Sequence, residues 1–88
     1  MNIQGQAALV TGAASGLGEA TARELARLGA KVAVLDVNMA LAEKVAAEIG
    51  GVACQCDITN ADSVTAAIEK AAAAHGPARI LMNVAGIG

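Results

Sequence analysis

The stretch TGAASGLG, residues 11–18, decides the fold of this 88-residue chain. It follows the apolar run AALV and opens a segment whose apolar residues recur at helical spacing. A helix start presents unpaired N–H groups and a partial positive charge, so a strand, a glycine turn and a helix start together form an anion site. We predict that Gly12 turns the chain out of the strand, Gly16 admits a pyrophosphate close to the backbone, and Gly18 packs the helix on the strand.

Composition limits the functions that the chain can have. Eighty-eight residues make at most one domain with a modest core, and 56% of them are hydrophobic. Because there is no Phe, Trp or Tyr, the chain has no aromatic platform on which a nucleic-acid base could stack. The formal charge of -2 is spread singly rather than in runs, which argues against nucleic acid and anionic membranes as partners.

Targeting and cysteine patterns point to an ordinary reducing compartment. No basic segment precedes an apolar one near the N-terminus, and no apolar run reaches the roughly 18 residues of a membrane span, so we predict a cytoplasmic protein. Cys54 and Cys56 stand two apart in a predicted strand, at about the upper Cα separation for a disulfide. We interpret both as small core residues, and we predict no metal site because further ligands are missing.

Short apolar runs alternate with helical periodicity along the rest of the chain. We predict strands over residues 7–11, 31–36, 52–56 and 79–83, and helices over residues 16–28, 39–49 and from a cap at Thr59 to about His75. Such alternation is typical of a parallel sheet with right-handed crossovers. We expect the strand order 3-2-1-4, with the first two helices on one face of the sheet and the third on the other.

Helix ends and helix faces are predicted from residue type and spacing. Gly29 is expected to end the first helix, Asn38 to cap the second, and Thr59 with Asp62 to form a capping box for the third. Apolar residues at helical spacing are expected to face the sheet. They are Leu17, Thr21, Leu25 and Leu28 in the first helix, Leu41, Val45 and Ile49 in the second, and Val64, Ala67, Ile68 and Ala71 in the third.

An acid follows the glycine turn at the spacing of a dinucleotide site. Asp36 ends the second predicted strand, roughly 20 residues after the turn, where an acid hydrogen-bonds the 2′-hydroxyl of an adenosine ribose. Its carboxylate would repel a 2′-phosphate, and neither Ser15 nor Val37 is a cation, so the residues favour NAD over NADP. A second interpretation stays open, in which Asp36 only begins a turn.

These motifs together resemble the short-chain dehydrogenase/reductase family over essentially the whole chain. The resemblance rests on TGAASGLG, on Asp36, on Cys56-Asp57-Ile58-Thr59 and on Asn83-Val84-Ala85-Gly86. It implies a Rossmann-type, doubly wound α/β sheet that is incomplete and forms the N-terminal part of a larger domain. It also implies hydride transfer between NAD and a hydroxyl or carbonyl group of a small-molecule substrate.

The resemblance further implies roles for the matching residues. They are Ser15 and Leu17 on the pyrophosphate side, Asp36 and Val37 at the adenosine ribose, Asp57 and Ile58 at the adenine, and Asn83, Val84, Ala85 and Gly86 at the nicotinamide-side ribose. A plainer role for Asp57, as a turn and helix-entry residue, stays open.

The chain departs from the family pattern at two points. Val84 stands where the family usually has a second asparagine. The branch of 3-hydroxyacyl-CoA and hydroxysteroid dehydrogenases also has another residue at that position. The family's catalytic Ser, its Tyr-x-x-x-Lys pair and its helix Asn are all expected beyond residue 88, and the chain contains no Tyr. His75 is expected to end a helix, and Ser15 has no neighbouring base, so neither receives a catalytic role.

The prediction is therefore a cofactor-binding half-domain over residues 1–88 of an oxidoreductase, with no catalytic residue of its own. Two alternatives stay open: a stand-alone nucleotide-binding module, and the cofactor half of an epimerase or dehydratase. An apolar fourth strand at the sheet edge predicts homo-oligomers or association with the missing C-terminal part.

Overall fold

A computed structural model describes residues 3–13 and 16–83 of the chain. Within these ranges strands and helices alternate in the predicted order. Their bounds are β1 (Ala7–Thr11), α1 (Gly16–Arg27), β2 (Lys31–Asp36), α2 (Met39–Ile49), β3 (Val52–Gln55), α3 (Ala61–His75) and β4 (Ile80–Asn83). These bounds agree with the predicted ones to within about two residues, because glycine turns and changes of periodicity mark them locally.

The described strands form a parallel sheet in the order β3-β2-β1-β4. In the centre, Val10 of β1 lies opposite Val34 of β2 and Met82 of β4. Every residue of β1 is buried, as a strand covered on both faces requires. The predicted α/β class and the strand order 3-2-1-4 of a Rossmann-type sheet are confirmed.

Each face of the sheet has its own apolar core. On one face α1 and α2 pack over β1 and β2, where Val10, Ala22 and Val45 are buried together. On the other face α3 packs over the sheet, where Leu35 and Ala71 are buried. This division is the one predicted from right-handed crossovers, because the chain reverses its direction across the sheet after β3.

The buried face of α1 differs from the predicted one. Gly18 and Ala22 are buried, and Leu25 packs against the core. Leu17 and Leu28 were expected to face inward, yet they are 62% and 40% exposed. The helix approaches the sheet through its smallest residues, which allows closer backbone packing than leucines would. The prediction failed because it weighted hydrophobicity without weighting size.

Small residues also line the sheet side of the other two helices. In α2 Val45 is buried as predicted, whereas Leu41 is 41% exposed. In α3 Ala67 and Ala71 are buried as predicted, whereas Ile68 is 43% exposed. Alanine-rich contacts therefore bring all three helices close to the sheet.

The end of α1 and the start of α2 carry the predicted caps, Gly29 and Asn38. Gly29 and Gly50 have φ of +94° and +71°, the left-handed conformation that glycine adopts at helix ends. Gly29 donates its N–H to Ala26 O at 3.0 Å. At the start of α2, Asn38 Oδ1 accepts the N–H of Leu41 at 3.1 Å.

The N-cap of α3 is Asn60 and not the predicted Thr59. Asn60 Oδ1 accepts the N–H groups of Asp62 and Ser63 at 3.0 and 3.1 Å. Thr59 bonds Asp57 instead. Sequence alone could not choose between the neighbours, because Asn and Thr both satisfy the first N–H groups of a helix.

Cys54 and Cys56 are free and buried on the α3 face of the sheet, as predicted for small core residues. Burial raises the pKa of both thiols, so both are protonated at neutral pH. Among the described residues, no helix is long and apolar enough to cross a bilayer. Residues 3–13 and 16–83 also contain no group of three acidic, His or Cys side chains that could hold a metal ion.

Replacing Asn60 by Ala should lower the free energy of unfolding by about 1 kcal/mol, because two N–H groups of α3 lose their acceptor. Urea unfolding followed by circular dichroism measures the change. Thr65→Ala, on an exposed position of the same helix, is the matched control and should change stability by about half a kcal/mol or less. Equal effects of the two substitutions would contradict the assignment of Asn60 as the cap.

Candidate functional site

The glycine turn joins the carboxyl end of β1 to the start of α1. Gly12 has φ of +63° and Gly16 has φ of +61°, so both occupy a conformation that other residues adopt only with strain. Ala13, between them, donates its N–H to Leu35 O at the end of β2, at 3.3 Å. The turn is therefore fixed to the neighbouring strand, and α1 begins at the carboxyl edge of the sheet.

Gly18 is the position where α1 touches the turn. A Cβ on Gly18 would lie 1.9 Å from Gly12 O and 2.6 Å from Gly12 C. Both of those atoms belong to the backbone, so no side-chain movement could relieve the overlap. The close packing of helix on strand that the glycine pattern predicts is present at this contact.

Gly16, unlike Gly18, has open space where a side chain would begin. A Cβ built on it would have no heavy atom within 4 Å, its two chain neighbours aside, so there is open space beside Gly16. The N-terminus of this 12-residue helix, with its positive dipole end, lies at Gly16. This geometry suits a phosphate group, because an anion there gains hydrogen bonds and charge stabilisation together.

A cavity of about 240 Å³ brings three of the predicted motifs together; we call it the crevice cavity. Its lining residues come from the glycine turn, from the end of β2 and from the segment after β3: Gly12, Asp36, Val37, Cys56, Asp57 and Ile58. They meet because the carboxyl ends of parallel strands share one edge of the sheet. Cys56 donates its N–H to Asp36 O at 3.0 Å. This bond holds the segment after β3 beside the end of β2.

Both polar and apolar side chains line this cavity. Asp36 is half-buried, and its Oδ1 accepts the N–H of Asn38 at 2.9 Å. Val37 and Ile58 are 60% and 45% exposed, which is high for branched apolar side chains. Carboxylates and exposed apolar side chains in one cavity can bind a group that has hydroxyls on one part and an apolar ring on another.

Asp57 lies at the cavity within a hydrogen-bonded turn. Thr59 donates its N–H and its hydroxyl to Asp57 Oδ1 at 2.9 and 2.6 Å. These bonds hold the pKa of the Asp57 carboxyl below its usual range. These bonds stabilise the folded state fully at pH values above the ordinary Asp pKa. The stabilisation is lost as the pH falls through the lowered pKa that Asp57 has in the folded protein.

A second cavity, of about 250 Å³, lies on the α3 face of the sheet beside β4; we call it the α3 groove. Apolar side chains, including Leu9, Val64, Ile68 and Leu81, form much of its lining. Thr11 and Asn83 lie in the same lining, and the Thr11 hydroxyl donates to Asn83 Oδ1 at 2.8 Å. Cys56 and Ile58 line both cavities, so the α3 groove and the crevice cavity share a wall.

The structure places most of the predicted site residues at one edge of the sheet. Gly12, Asp36, Val37, Asp57 and Ile58 share the crevice cavity, and Asn83 lines the adjoining α3 groove. Gly16, Leu17 and Gly18 form the first turn of α1. The predicted residues Ser15, Val84, Ala85 and Gly86 lie outside the described residues.

Sequence reasoning missed Thr11 and Thr59. Thr11 is 8% exposed at the end of an otherwise apolar strand, and it ties β1 to the end of β4. A lone hydroxyl in a buried apolar strand is the signal that could have pointed to it, because a buried polar group needs a partner. Thr59 offers no such signal, since its partner Asp57 is known only once the turn is folded.

His75 and the charged pairs lie on other parts of the chain. His75 ends α3, which returns to the amino ends of the parallel strands, away from the crevice cavity. Arg23 bonds Glu19 within α1 at 2.8 Å and also bonds Glu48 of α2. The Arg23 pair with Glu48 joins the two helices that cover one face of the sheet.

Comparison with known proteins identifies the family. A model of the short chain dehydrogenase family matches residues 6–88. D-threitol dehydrogenase of Mycolicibacterium smegmatis is 44% identical over 90 residues, which cover 97% of this chain and 35% of that protein. Mitochondrial borneol dehydrogenase of Lavandula x intermedia is 40% identical over 85 residues, covering 97% of this chain and 33% of that protein.

Solved structures agree with this match. A 3-ketoacyl-(acyl-carrier-protein) reductase of Brucella melitensis, complexed with NADH, is 44% identical, with a TM-score of 0.87 over 90% of this chain and 34% of that one. A hydroxysteroid dehydrogenase of Escherichia coli is 36% identical, with a TM-score of 0.89 over 93% of this chain and 36% of that one. The chain belongs to the short-chain dehydrogenase/reductase family, and it spans about a third of the length of these relatives.

Substituting Gly18 by Ala should destabilise the fold by about 1–3 kcal/mol, because the added Cβ overlaps backbone atoms of Gly12. Gly16→Ala is the matched control, since its Cβ meets open space and its cost is limited to the positive φ, about 1 kcal/mol. Urea unfolding of both variants gives the comparison. A Gly18→Ala variant as stable as Gly16→Ala would contradict the packing role of Gly18.

Proposed function

We propose that this chain supplies the cofactor-binding part of an NAD-dependent oxidoreductase. The complete enzyme would transfer a hydride between the nicotinamide and a hydroxyl or carbonyl group of a small-molecule substrate. The observation that carries the proposal is the crevice cavity, where the glycine turn, Asp36 and Asp57 meet at the carboxyl edge of the sheet. The named dehydrogenases and reductases among the relatives support the reaction class.

The residues of the crevice fit a dinucleotide. The open space at Gly16, in front of the N–H groups of α1, would hold the pyrophosphate. Asp36 would accept hydrogen bonds from the hydroxyls of the adenosine ribose, while Val37 and Ile58 would contact the base. When bound, the nicotinamide ring accepts or donates the hydride, and the protein supplies binding and orientation.

Residues near the end of β4 would hold the other half of the cofactor. Asn83, anchored by the Thr11 hydroxyl, stands one strand away from the glycine turn. We propose that Asn83 with residues 84–86 lines the nicotinamide-side ribose. Ser15 and Leu17 would lie on the pyrophosphate side.

Asp36 favours NAD over NADP in this proposal. A carboxylate at the end of β2 suits the two hydroxyls of an unmodified ribose, and it repels a phosphate at the 2′ position. The next residue is Val37, which brings no positive charge. The Brucella melitensis reductase, whose structure holds NADH, lends support from a relative at 44% identity.

Replacing Asp36 by Ala together with Val37 by Arg should reverse the cofactor preference, because the repulsion is removed and a cation is added beside the ribose. Fluorescence titration with NADH and NADPH gives the ratio of dissociation constants for each protein. We expect the natural chain to bind NADH about tenfold or more tightly than NADPH, and the double variant to prefer NADPH.

Glu69→Ala is the control for the loss of one negative charge, since Glu69 is exposed on α3 and lines neither described cavity. It should leave the ratio unchanged. Tighter binding of NADPH by the natural chain would contradict the role of Asp36.

The catalytic residues of the proposed enzyme would come from outside these 88 residues, since the chain has no Tyr to act as acid or base. Reading the encoding frame past Gly88 tests this directly. A downstream Tyr-x-x-x-Lys supports the oxidoreductase. A stop codon, with NADH binding retained, would favour a stand-alone nucleotide-binding module, and a downstream epimerase or dehydratase site would favour that class.

We also propose that β4 and the α3 groove associate with further polypeptide. Leu81 of β4 is 64% exposed and lines the groove with half-buried Val64 and exposed Ile68. A right-handed crossover leading on from β4 would place its helix over this face, beside α3. The proposed occupant is therefore the polypeptide that follows β4 in the complete protein.

We propose a cytoplasmic location, which the free buried cysteines support.

If the groove is left uncovered, the isolated chain should self-associate through it, and Leu81→Lys should shift it towards monomer. Sedimentation velocity at increasing protein concentration measures this. Leu28→Lys, at an exposed leucine near the end of α1, is the matched control and should not change the distribution. A monomeric natural chain with cooperative unfolding would contradict the proposal.

A further inference from the structure

We propose that Asn38 is a positioning residue for the adenosine ribose, because it holds the Asp36 carboxylate in one orientation before a cofactor binds. The inference deepens the proposed function and rests on the proposed contact between Asp36 and the ribose hydroxyls. Asn38 is exposed and lines neither the crevice cavity nor the α3 groove, so its influence on the ligand passes through Asp36.

The main chain at Asp36 is fixed by the sheet. Asp36 ends β2 in register with Gln55 of β3, and its carbonyl accepts the N–H of Cys56 at 3.0 Å. The next carbonyl, that of Val37, accepts a hydrogen bond from Gln55 Nε2 at 3.4 Å. The neighbouring strand therefore holds the backbone that carries the carboxylate, and the freedom that remains at Asp36 lies in its side-chain torsions.

The main-chain N–H of Asn38 restrains these torsions. It donates to Asp36 Oδ1 at 2.9 Å, the length of a hydrogen bond to an ionised acceptor. A bond from a carboxylate to the N–H two residues further on closes an Asx-type turn. Because the two carboxylate oxygens together offer about four lone-pair sites, this bond can orient the group and still allow it to accept ribose hydroxyls.

Asn38 is itself fixed at the start of α2. Its Oδ1 accepts the N–H of Leu41 at 3.1 Å, and its carbonyl accepts the N–H of Ala42 at 3.0 Å. With φ of -88° and ψ of 93°, Asn38 has the extended conformation of an N-cap residue. The cap therefore fixes the direction of the N–H that Asp36 accepts, and loosening the cap would loosen the carboxylate.

Charge favours the same arrangement. The first turns of α1 and α3 contain Glu19 and Asp62, whereas the first turn of α2 contains no acidic residue. The Asp36 carboxylate, bonded to the residue just before α2, supplies a negative charge at that helix start, where a negative charge is favourable. The helix and the carboxylate therefore stabilise one another, and the proposed ribose acceptor is oriented before the ligand arrives.

The test compares adenosine 5′-monophosphate with 2′-deoxyadenosine 5′-monophosphate, since the ratio of their affinities isolates the contact to the 2′-hydroxyl. Calorimetric titration gives both dissociation constants. We expect the natural chain to prefer the ribonucleotide roughly tenfold or more, because the acceptor is charged. Asn38→Ala, which removes the cap, should reduce this preference roughly two- to fivefold, and Asn38→Ser, which restores a cap, should recover it.

Asn60→Ala is the matched control, because it removes the N-cap of α3 by the same substitution. Both alanine variants should lower the urea midpoint of unfolding by similar amounts. Only Asn38→Ala should change the ratio of the two affinities. An unchanged ratio in Asn38→Ala, or an equal change in Asn60→Ala, would overturn the inference.

A second measurement needs no ligand. The NMR signal of the Asn38 N–H should shift as the pH is lowered and the Asp36 carboxylate is protonated, because the bond between them weakens. Asp36→Ala should abolish this shift, and its persistence there would contradict the pairing. Failure of the natural chain to bind NADH or adenosine monophosphate would instead overturn the proposed function, while this titration would still report on the contact between Asn38 and Asp36.

Discussion

The contact between Gly18 and Gly12 is the constraint on which the rest of the site depends. The first turn of α1 lies so close to the exit of β1 that a single methyl group at Gly18 would overlap the carbonyl of Gly12. This contact brings the helix dipole and its free N–H groups to the carboxyl edge of the sheet. Asp36 and Asp57 reach the same edge because β2 and β3 run parallel to β1. One close approach of backbone to backbone therefore determines where the start of α1 lies at this edge.

The same preference for close approach explains the composition of the cores. Alanine and glycine face the sheet from α1 and α3, and the larger aliphatic residues of the core come mainly from the strands. Close packing of this kind gains dispersion contacts without large side chains. Larger apolar side chains stay exposed elsewhere, among them Leu17 on α1 and Val37 and Ile58 at the crevice cavity. The absence of aromatic residues from the chain is thus compatible with a well-packed sheet.

Comparison of prediction with structure separates local from long-range information. The element order and the caps Gly29 and Asn38 were predicted correctly because each is encoded within a few consecutive residues, whereas the strand order was predicted correctly from the topology of doubly wound sheets. Leu17, Leu28, Leu41 and Ile68 are more exposed than predicted, because the smaller residues of each helix take the positions nearest the sheet. Ile68 nevertheless lines the α3 groove. The Thr59 cap was wrong because Asp57, its actual partner, competes for the same side chain. The predicted roles of the site residues in cofactor binding stay predictions.

What the sequence by itself determined is the fold class, the place of the glycine turn and the acid at the end of β2. These depend on backbone conformation and on periodicity, which act over short stretches of chain. What only the tertiary structure decided is which residues share a cavity and which polar groups bond one another. Thr11 of β1 bonds Asn83 of the neighbouring strand β4. Ile58 lines two cavities that are formed by segments far apart in the sequence. Such relations arise from the pairing of the strands and the packing of the helices on the sheet, which bring together residues far apart in the sequence.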